Sequence, residues 1–413
     1  MMDSTIFNRI NTRLDELTEE MVNFQKSITA IKALSPKSGG EGEWDKAEFI
    51  RNYLEKMGIS DIQQIDAPDK DAKNGKRPNL IARIPGKSNE KTVWIMAHMD
   101  VVPEGDAKLW DNDPWTVVEK DGKIYGRGTE DNQQGLTSAL FAMKAFVDEE
   151  ITPEYDLALL LAADEETGSE FGLEYILKHH KDLFRPQDII IVPDAGEPDS
   201  TMIEVAEKSI VWFKFITKGK QCHGSLPDQG INAFKAASHL VVKLGRLYEI
   251  FDDRDEVFVP AISTFEPTKK EANVPNVNTI PGEDIFYMDC RLLPNYSMES
   301  LFSEVRKICD EVESEFGVKI ETDTTQQMES SPATDKNAEV VLKLKSAIKD
   351  VYNVEAEAKG IGGGTVAAIF RRYGLPAAVW STMDDVCHQP NEYAVIRFMV
   401  NDAKVFCHVC LQK

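Results

Sequence analysis

Apolar residues recur at Ile6, Ile10, Leu14, Leu17, Met21 and Phe24, at steps of four, four, three, four and three, and so mark one face of an amphipathic helix. A second helical stretch runs from about Trp44 to Met57. It gives way to the polar segment 66–79, DAPDKDAKNGKRPN, which reads as an exposed loop. Beyond it, strands and helices alternate. Residues 79–84 and 92–97 are strand-like, 135–147 form an apolar helix, and 157–163 are a continuous apolar run of strand length. A helix over 168–179 and a strand over 189–192 follow. This alternation predicts an α/β domain with a mixed, largely parallel sheet, because a parallel pair needs a crossover that a helix usually fills.

Near residue 205 the pattern changes. A strand over 210–217, a long helix over 231–250, a strand over 285–291, a helix over 297–316 and a strand over 318–322 follow in turn. A strand-helix-strand-strand-helix-strand block of about 115 residues fits an independent α+β domain of the split βαβ, ferredoxin-like kind. Helix then returns over 337–352. The turn Gly360-Ile-Gly-Gly-Gly-Thr-Val leads into a helix over 367–373, followed by a strand over 377–380 and a terminal helix over 392–410. A chain of 413 residues exceeds one ordinary core. The economical organisation is one α/β domain in two parts, 1–206 and 326–413, interrupted by a smaller domain at 207–325.

Apolar residues at 42% and charged residues at 28% supply ample core, which excludes a disordered, collagen-like or disulfide-stapled chain. Lys and Arg number 47 against 70 Asp and Glu, a net charge of −23 with neutral histidine. Such a surface repels polyphosphate, so neither nucleic acid nor an anionic membrane is an expected partner. No run approaches the roughly 18–20 apolar residues needed to cross a bilayer. The polar start MMDSTIFNRINTRLDELTEE carries no apolar signal core. Six cysteines, at 222, 290, 309, 387, 407 and 410, follow no regular spacing, so reduced thiols and a cytoplasmic setting are expected. Cys407 and Cys410 flank His408-Val409 as a redox or metal pair would, but without a second pair they read as part of a terminal core helix.

The candidate chemistry sits just after predicted strands, where an open α/β sheet places its ligands. His98-Met-Asp100 follows 92–97, and Gly126-Arg-Gly128-Thr-Glu-Asp131-Asn132 leads into the apolar helix. Asp164-Glu165-Glu166-Thr-Gly168 follows 157–163, Pro193-Asp194-Ala-Gly196 follows 189–192, and Cys387-His388-Gln-Pro-Asn-Glu392 lies beyond the strand at 377–380. Singly, each is ordinary: adjacent acids, for example, suit the first turn of a helix. Five metal-competent motifs at strand exits are another matter. Imidazole and carboxylate donors together suit zinc, with cobalt or manganese as alternatives. Converging carboxylates with no cation would raise one another's pKa. Two divalent ions about 3.5–4 Å apart can share one carboxylate and activate a water. The pair Glu165-Glu166 would let one glutamate hold a metal while its neighbour takes the proton.

In this combination the chain resembles the M20 family of metallopeptidases and amidohydrolases over nearly its whole length. The resemblance implies a zinc-exopeptidase-like catalytic domain with an inserted lid and dimerisation domain. It implies His98 as a ligand of one metal, Asp100 orienting the His98 ring, Asp131 bridging both metals, and a candidate cis peptide at Asp131-Asn132. Glu165 is then the general base, Glu166 a ligand of the other metal, Asp194 the partner of His98, and His388 the last ligand beside Glu166. His223-Gly-Ser225-Leu-Pro227 resembles the family's His-x-Ser-x-Pro motif. That implies His223 polarising the scissile carbonyl, often from the partner subunit of a homodimer. Asn278 and Arg291 resemble substrate-contacting positions, and a guanidinium fork suits a substrate carboxylate. The turn Gly362-Gly363-Gly364-Thr365 opens a helix, so its backbone N–H groups could hold a carboxylate. It lacks the Lys-Ser/Thr of a nucleotide loop.

Two departures bear on the substrate. Many deacylases of the family carry aspartate and arginine shortly after Gly-Gly-Thr, where this chain has Val366-Ala367-Ala368. Many also carry an acidic residue and lysine after the bridging aspartate, where it has Asn132-Gln133-Gln134. The expectation is a hydrolase of the amide bond in a small carboxylate-bearing substrate, an N-acyl amino acid deacylase of the succinyl-diaminopimelate desuccinylase kind. A dipeptidase or carboxypeptidase acting on small peptides is the alternative, and a non-catalytic metal-binding family member a further one.

Overall fold

The structure is a computed structural model and describes residues 4–413. The chain forms two compact units. One comprises Ala206–Ala333 with Gly360–Gly364; the other comprises the residues up to Val205 together with Thr334–Lys359 and Thr365–Lys413.

The larger unit is built on an eight-stranded sheet. Its order is Asp61–Pro68, Lys76–Ile84, Tyr155–Ala162, Ser88–His98, Ile189–Gly196, Ala377–Ser381, Met202–Glu207 and Glu357–Ile361. The four central strands, from 155–162 to 377–381, run parallel. The pairings 61–68 with 76–84, 76–84 with 155–162, and 377–381 with 202–207 are antiparallel. The central strands are covered on both faces, which is why Leu157–Ala163 is apolar without alternation. Helices Gln133–Asp148 and Ile396–Leu411 pack on one face. On the other, Trp94, Leu160 and Val192 meet Phe184, Val366 and Phe370. Because the central strands are parallel, His98 and the residues just after Ala162 leave the sheet at the same edge, and Asp194 lies in the last turn of its strand beside them.

Several elements differ from the sequence expectation. The segment 66–79 is not an open loop: Asp61–Pro68 and Lys76–Ile84 form a hairpin with Asp61 opposite Arg83 and Pro68 opposite Lys76. Only Ile65 and Ala67 of its outer strand are buried, so an edge strand rich in polar side chains shows almost no apolar period. The first helix is interrupted at Leu17, giving Ser4–Glu16 and Thr18–Thr29, although Ile10, Leu14, Leu17, Met21 and Phe24 are all buried as its periodicity requires. The helix expected from 168 begins only at Leu173. The residues before it are a tight loop in which the Asp164 carbonyl accepts from Ser169 N at 2.6 Å and its carboxylate from Phe171 N at 3.1 Å. The final helix starts at Ile396, because Tyr393–Val395 pairs with Lys123–Tyr125 as a short strand.

The smaller unit is a four-stranded antiparallel sheet ordered Thr264–Lys270, Glu283–Leu292, Ser209–Lys218, Lys319–Met328. In chain order that is second, third, first, fourth, the ferredoxin-like arrangement. Helices Ala233–Leu244 and Met298–Phe316 cover one face, where Phe213, Phe215, Phe286, Leu240, Val305 and Ile308 share a core. The strand Thr264–Lys270 leaves no apolar pattern in the sequence, since all but Phe265 and Thr264 are exposed. The last strand pairs as far as Met328 opposite Ile210, which carries this unit past residue 325.

Candidate metal centre

Two donor clusters lie at the parallel edge of the large sheet. His98, Asp131 and Asp194 form one and Asp131, Glu166 and His388 the other, with the donor atoms of each within 4.8 Å of one another. Asp131 belongs to both. One of its oxygens is 3.0 Å from His98 Nε2 and the other 3.0 Å from His388 Nε2. His98 Nε2 also stands 3.4 Å from Asp194 Oδ1, and His388 Nε2 is 3.1 Å from Glu166 Oε2. His98 is buried, whereas half of the His388 side chain is exposed. The peptide bond between Asp131 and Asn132 is cis.

The supporting bonds explain how the strand ends hold these groups. His98 Nδ1 meets the Asp100 carbonyl at 3.0 Å, closer than the Asp100 carboxylate at 3.5 Å. That carboxylate is engaged elsewhere. Its oxygens accept from Glu165 N at 3.0 Å and Glu166 N at 3.1 Å, fixing the turn that presents both glutamates. Asn132 donates to the Pro193 carbonyl and to Asp194 Oδ1, both at 2.6 Å, and so orients Asp194. Behind the turn lies a fully buried ionic cluster. Arg77 pairs with Glu43 and stands 3.4 Å from Asp164 and 3.5 Å from Asp69, while Glu43 accepts from Asp164 N at 3.2 Å. Nothing in the sequence pattern marks Glu43 or Arg77, which sit well upstream, one just before the helix Trp44–Lys56 and the other at the start of the inner hairpin strand Lys76–Ile84. Asn132 stands out in the sequence as the second residue of the candidate cis peptide and as a departure from other deacylases, not as a partner of Asp194.

The electrostatics fit divalent cations. Burial would lower the His98 imidazole's pKa, but its bonds with Asp100, Asp131 and Asp194 outweigh that and raise it well above the usual value. Asp131 and Glu166 raise His388 to about 10. Burial, reinforced by the charge of Asp194, pushes the Glu165 carboxyl well above its usual range; burial likewise raises Glu166. Both imidazoles are thus driven to carry a proton because the carboxylates around them need positive charge. A divalent ion in each cluster would meet that need with one nitrogen and two carboxylate donors, a set suited to zinc, cobalt or manganese. The carboxylate of Glu165 accepts no hydrogen bond from any described residue. Its nearest cationic neighbour is His98 Nε2, at 3.9 Å.

The remaining sequence-derived positions lie elsewhere. In the smaller unit, Cys222-His223 pairs with Thr279-Ile280, and Gly224 N donates to the Asn278 carbonyl at 2.7 Å, so His223 and Asn278 share one corner. His223 is exposed, with Nδ1 2.8 Å from Ser225 Oγ. Arg291 has its fork engaged: Nε and Nη2 donate to Asp289 at 2.7 and 2.9 Å, and Nη1 donates to the Gly362 carbonyl at 2.6 Å. Gly363 and Gly364 belong to the same unit, Gly364 lying against the Met328 side chain. Thr365 begins the return to the larger unit two residues before a short helix, its Oγ1 accepting from Ala367 N at 3.2 Å. Cys407, His408 and Cys410 are all buried in the terminal helix, and burial raises both thiols.

Residues 94–412 match peptidase family M20/M25/M40. A metallohydrolase of Methanocaldococcus jannaschii described as uncharacterized is 40% identical over 408 residues, 95% of this chain and 99% of that protein. The succinyl-diaminopimelate desuccinylase of Nautilia profundicola is 26% identical over 374 residues, 90% of this chain and 93% of its own length. Among solved structures, human carnosine dipeptidase 1 superposes with a TM-score of 0.71 over 98% of both chains at 19% identity, a likeness of fold.

Proposed function

The chain belongs to peptidase family M20/M25/M40 and is a metal-dependent hydrolase; from that premise we propose that it cleaves the amide bond of a small carboxylate-bearing substrate, as an N-acyl amino acid deacylase. The observation that carries the reading is the unbonded Glu165 carboxylate standing beside two donor clusters that share Asp131. His98, Asp194 and Asp131 would hold one divalent ion and Glu166, His388 and Asp131 the other, zinc being the first to test and cobalt or manganese the alternatives. When bound, the ions supply the positive charge that acidifies water and polarises the amide carbonyl.

Glu165 supplies the proton traffic. Its backbone is fixed by Asp100, and its raised proton affinity suits a group that must first take a proton and then give it back. It accepts the proton of the attacking water as the oxygen bonds to the carbonyl carbon. It returns that proton to the amide nitrogen as the C–N bond breaks. His223 is assigned to the substrate carbonyl oxygen and Asn278 to substrate orientation, both on one corner of the smaller unit. Arg291, Gly363, Gly364 and Thr365 are assigned to the substrate carboxylate. Arg291 is already paired with Asp289, so it can offer only part of its fork. A homodimer through the smaller unit would let His223 serve the partner. Six unpaired cysteines suit a cytoplasmic setting.

One observation favours a second reading, a dipeptidase or carboxypeptidase. Val366, Ala367 and Ala368 are buried and apolar where many deacylases place an acid and an arginine. Amine release with added Zn²⁺ or Co²⁺ from N-succinyl-diaminopimelate, N-acetylornithine and a set of dipeptides separates the two. Metal-dependent turnover of an acylated substrate alone supports the deacylase. Turnover of dipeptides alone replaces it with the peptidase.

A further inference from the structure

Two loops meet at the metal centre, and each is fastened by a glutamate that belongs to the other. Glu392 lies on the loop of His388, yet its carboxylate accepts from the loop of Asp131: from Gly128 N and Glu130 N at 2.9 Å, Asp131 N at 3.1 Å and Arg127 Nη1 at 2.6 Å. Glu130 precedes Asp131, yet its carboxylate accepts from the loop of His388: from Asp384 N at 2.8 Å and Val386 N at 2.6 Å, with the Cys387 thiol at 3.5 Å. Arg127 Nη2 adds a bond of 3.3 Å to the His388 carbonyl. Glu130, Arg127 and Glu392 are 3%, 2% and 0% exposed, so bulk water cannot replace a bond that is lost.

The His388 loop needs such holding. Asp385, His388 and Asn391 have φ of +59°, +62° and +59°, three left-handed residues within seven positions, a conformation that Asp, His and Asn tolerate better than other non-glycine residues but still at a cost their surroundings must meet. Glu130 binds two backbone N–H groups just before His388. The two ligands private to the other cluster are held otherwise: His98 ends a central strand, and Asp194 is held by Asn132.

We propose that Glu130 is a positioning residue for one metal ion only, the one on the His388 side, because it fixes the loop that brings His388 to Asp131 and Glu166. The proposal rests on the ligand assignment above. Metal-free full-length protein is titrated with Zn²⁺ and Co²⁺, the bound ions counted by elemental analysis and each dissociation constant obtained by competition calorimetry. Glu130→Gln keeps the side chain's size but only one of its two acceptors. It should weaken one ion by about 10–100-fold, the usual effect of losing an outer partner, and leave the other within about threefold. The cobalt spectrum of Glu130→Gln with one ion bound should match that of His388→Ala and differ from that of Asp194→Asn.

Wild-type affinity for both ions in Glu130→Gln overturns the proposal, and so does equal weakening of both. If His388→Ala also binds both ions normally, the ligand assignment itself has failed and the clamp falls with it. If His388→Ala loses its ion while Glu130→Gln does not, the clamp alone is refuted. Should Glu130→Gln fail to fold, hydrogen exchange on the unaltered metal-free protein decides. Protected amides at Asp384 and Val386 support the clamp, and exchange at the rate of an open loop overturns it.

Discussion

His408 makes the sharpest claim about stability. It sits in the terminal helix Ile396–Leu411, 2% exposed, with neither ring nitrogen hydrogen-bonded. Burial alone pushes its pKa down to about 3 from the usual 6.5. The unfolded chain therefore binds a proton near pH 6.5 that the folded chain refuses. Well above pH 6.5 His408 is neutral in both states and adds no pH dependence, and stability is lost as pH falls from there towards 3. Linkage between these two values gives a loss on the order of 1 kcal/mol at pH 5.5 and about twice that at pH 4.5. Asp350 Oδ2 lies 3.5 Å from Nδ1 and would favour the charged ring, but its side chain is 46% exposed, so solvent screens most of that attraction. The figures are upper values for that reason.

The perturbation is His408→Leu, which keeps an apolar side chain of similar size and removes the titration. Urea unfolding of the metal-free proteins at pH 7.5, 5.5 and 4.5 isolates the effect, since every other group titrates in both proteins and cancels in the difference. Wild type and variant should differ little in pH response above pH 7. Below it the variant should gain on wild type by about 1 kcal/mol at pH 5.5 and about twice that at pH 4.5. Parallel pH profiles for the two proteins, within a few tenths of a kcal/mol, would refute the reasoning and show that His408 finds a partner when protonated.

Glu165→Gln should lower turnover by about 10²–10⁴-fold while both ions remain bound, the usual contribution of a positioned acid-base group; near-normal turnover with metals intact would remove Glu165 as the base. Chelation should lower the thermal midpoint reversibly, because the carboxylates around Asp131 lose their counter-charge; ions present at about 1,000 times their dissociation constant contribute about 4 kcal/mol, and a midpoint indifferent to chelator would contradict the site. Arg77→Met should cost about 3–5 kcal/mol in urea unfolding, since Glu43, Asp69 and Asp164 are left without their shared cation, and a wild-type midpoint would show those carboxylates already protonated.

Much of the centre is legible because a parallel sheet gathers its strand ends at one edge. His98, Glu165, Glu166 and Asp194 each stand at the end of a strand or just after it, and the apolar runs of 92–97, 157–163 and 189–192 are what locate those ends. Legibility fails where the apolar period is weak. The outer strand Asp61–Pro68 and the edge strand Thr264–Lys270 bury too few side chains to leave a pattern, so neither can be read from the sequence.

The sequence by itself therefore determined the α/β grammar, the inserted unit and the residue types available for chemistry, because those are written in local periodicity and in composition. Which side chain holds which was decided only by tertiary structure. Asp100 commits its carboxylate to the Glu165-Glu166 turn, Arg77 reaches Asp164 from the hairpin strand Lys76–Ile84, and Glu130 and Glu392 exchange loops across more than 250 positions of chain. The physical reason is that a buried hydrogen bond depends on where two backbones pass in space. Neither residue's neighbours in sequence carry any record of the loop it meets.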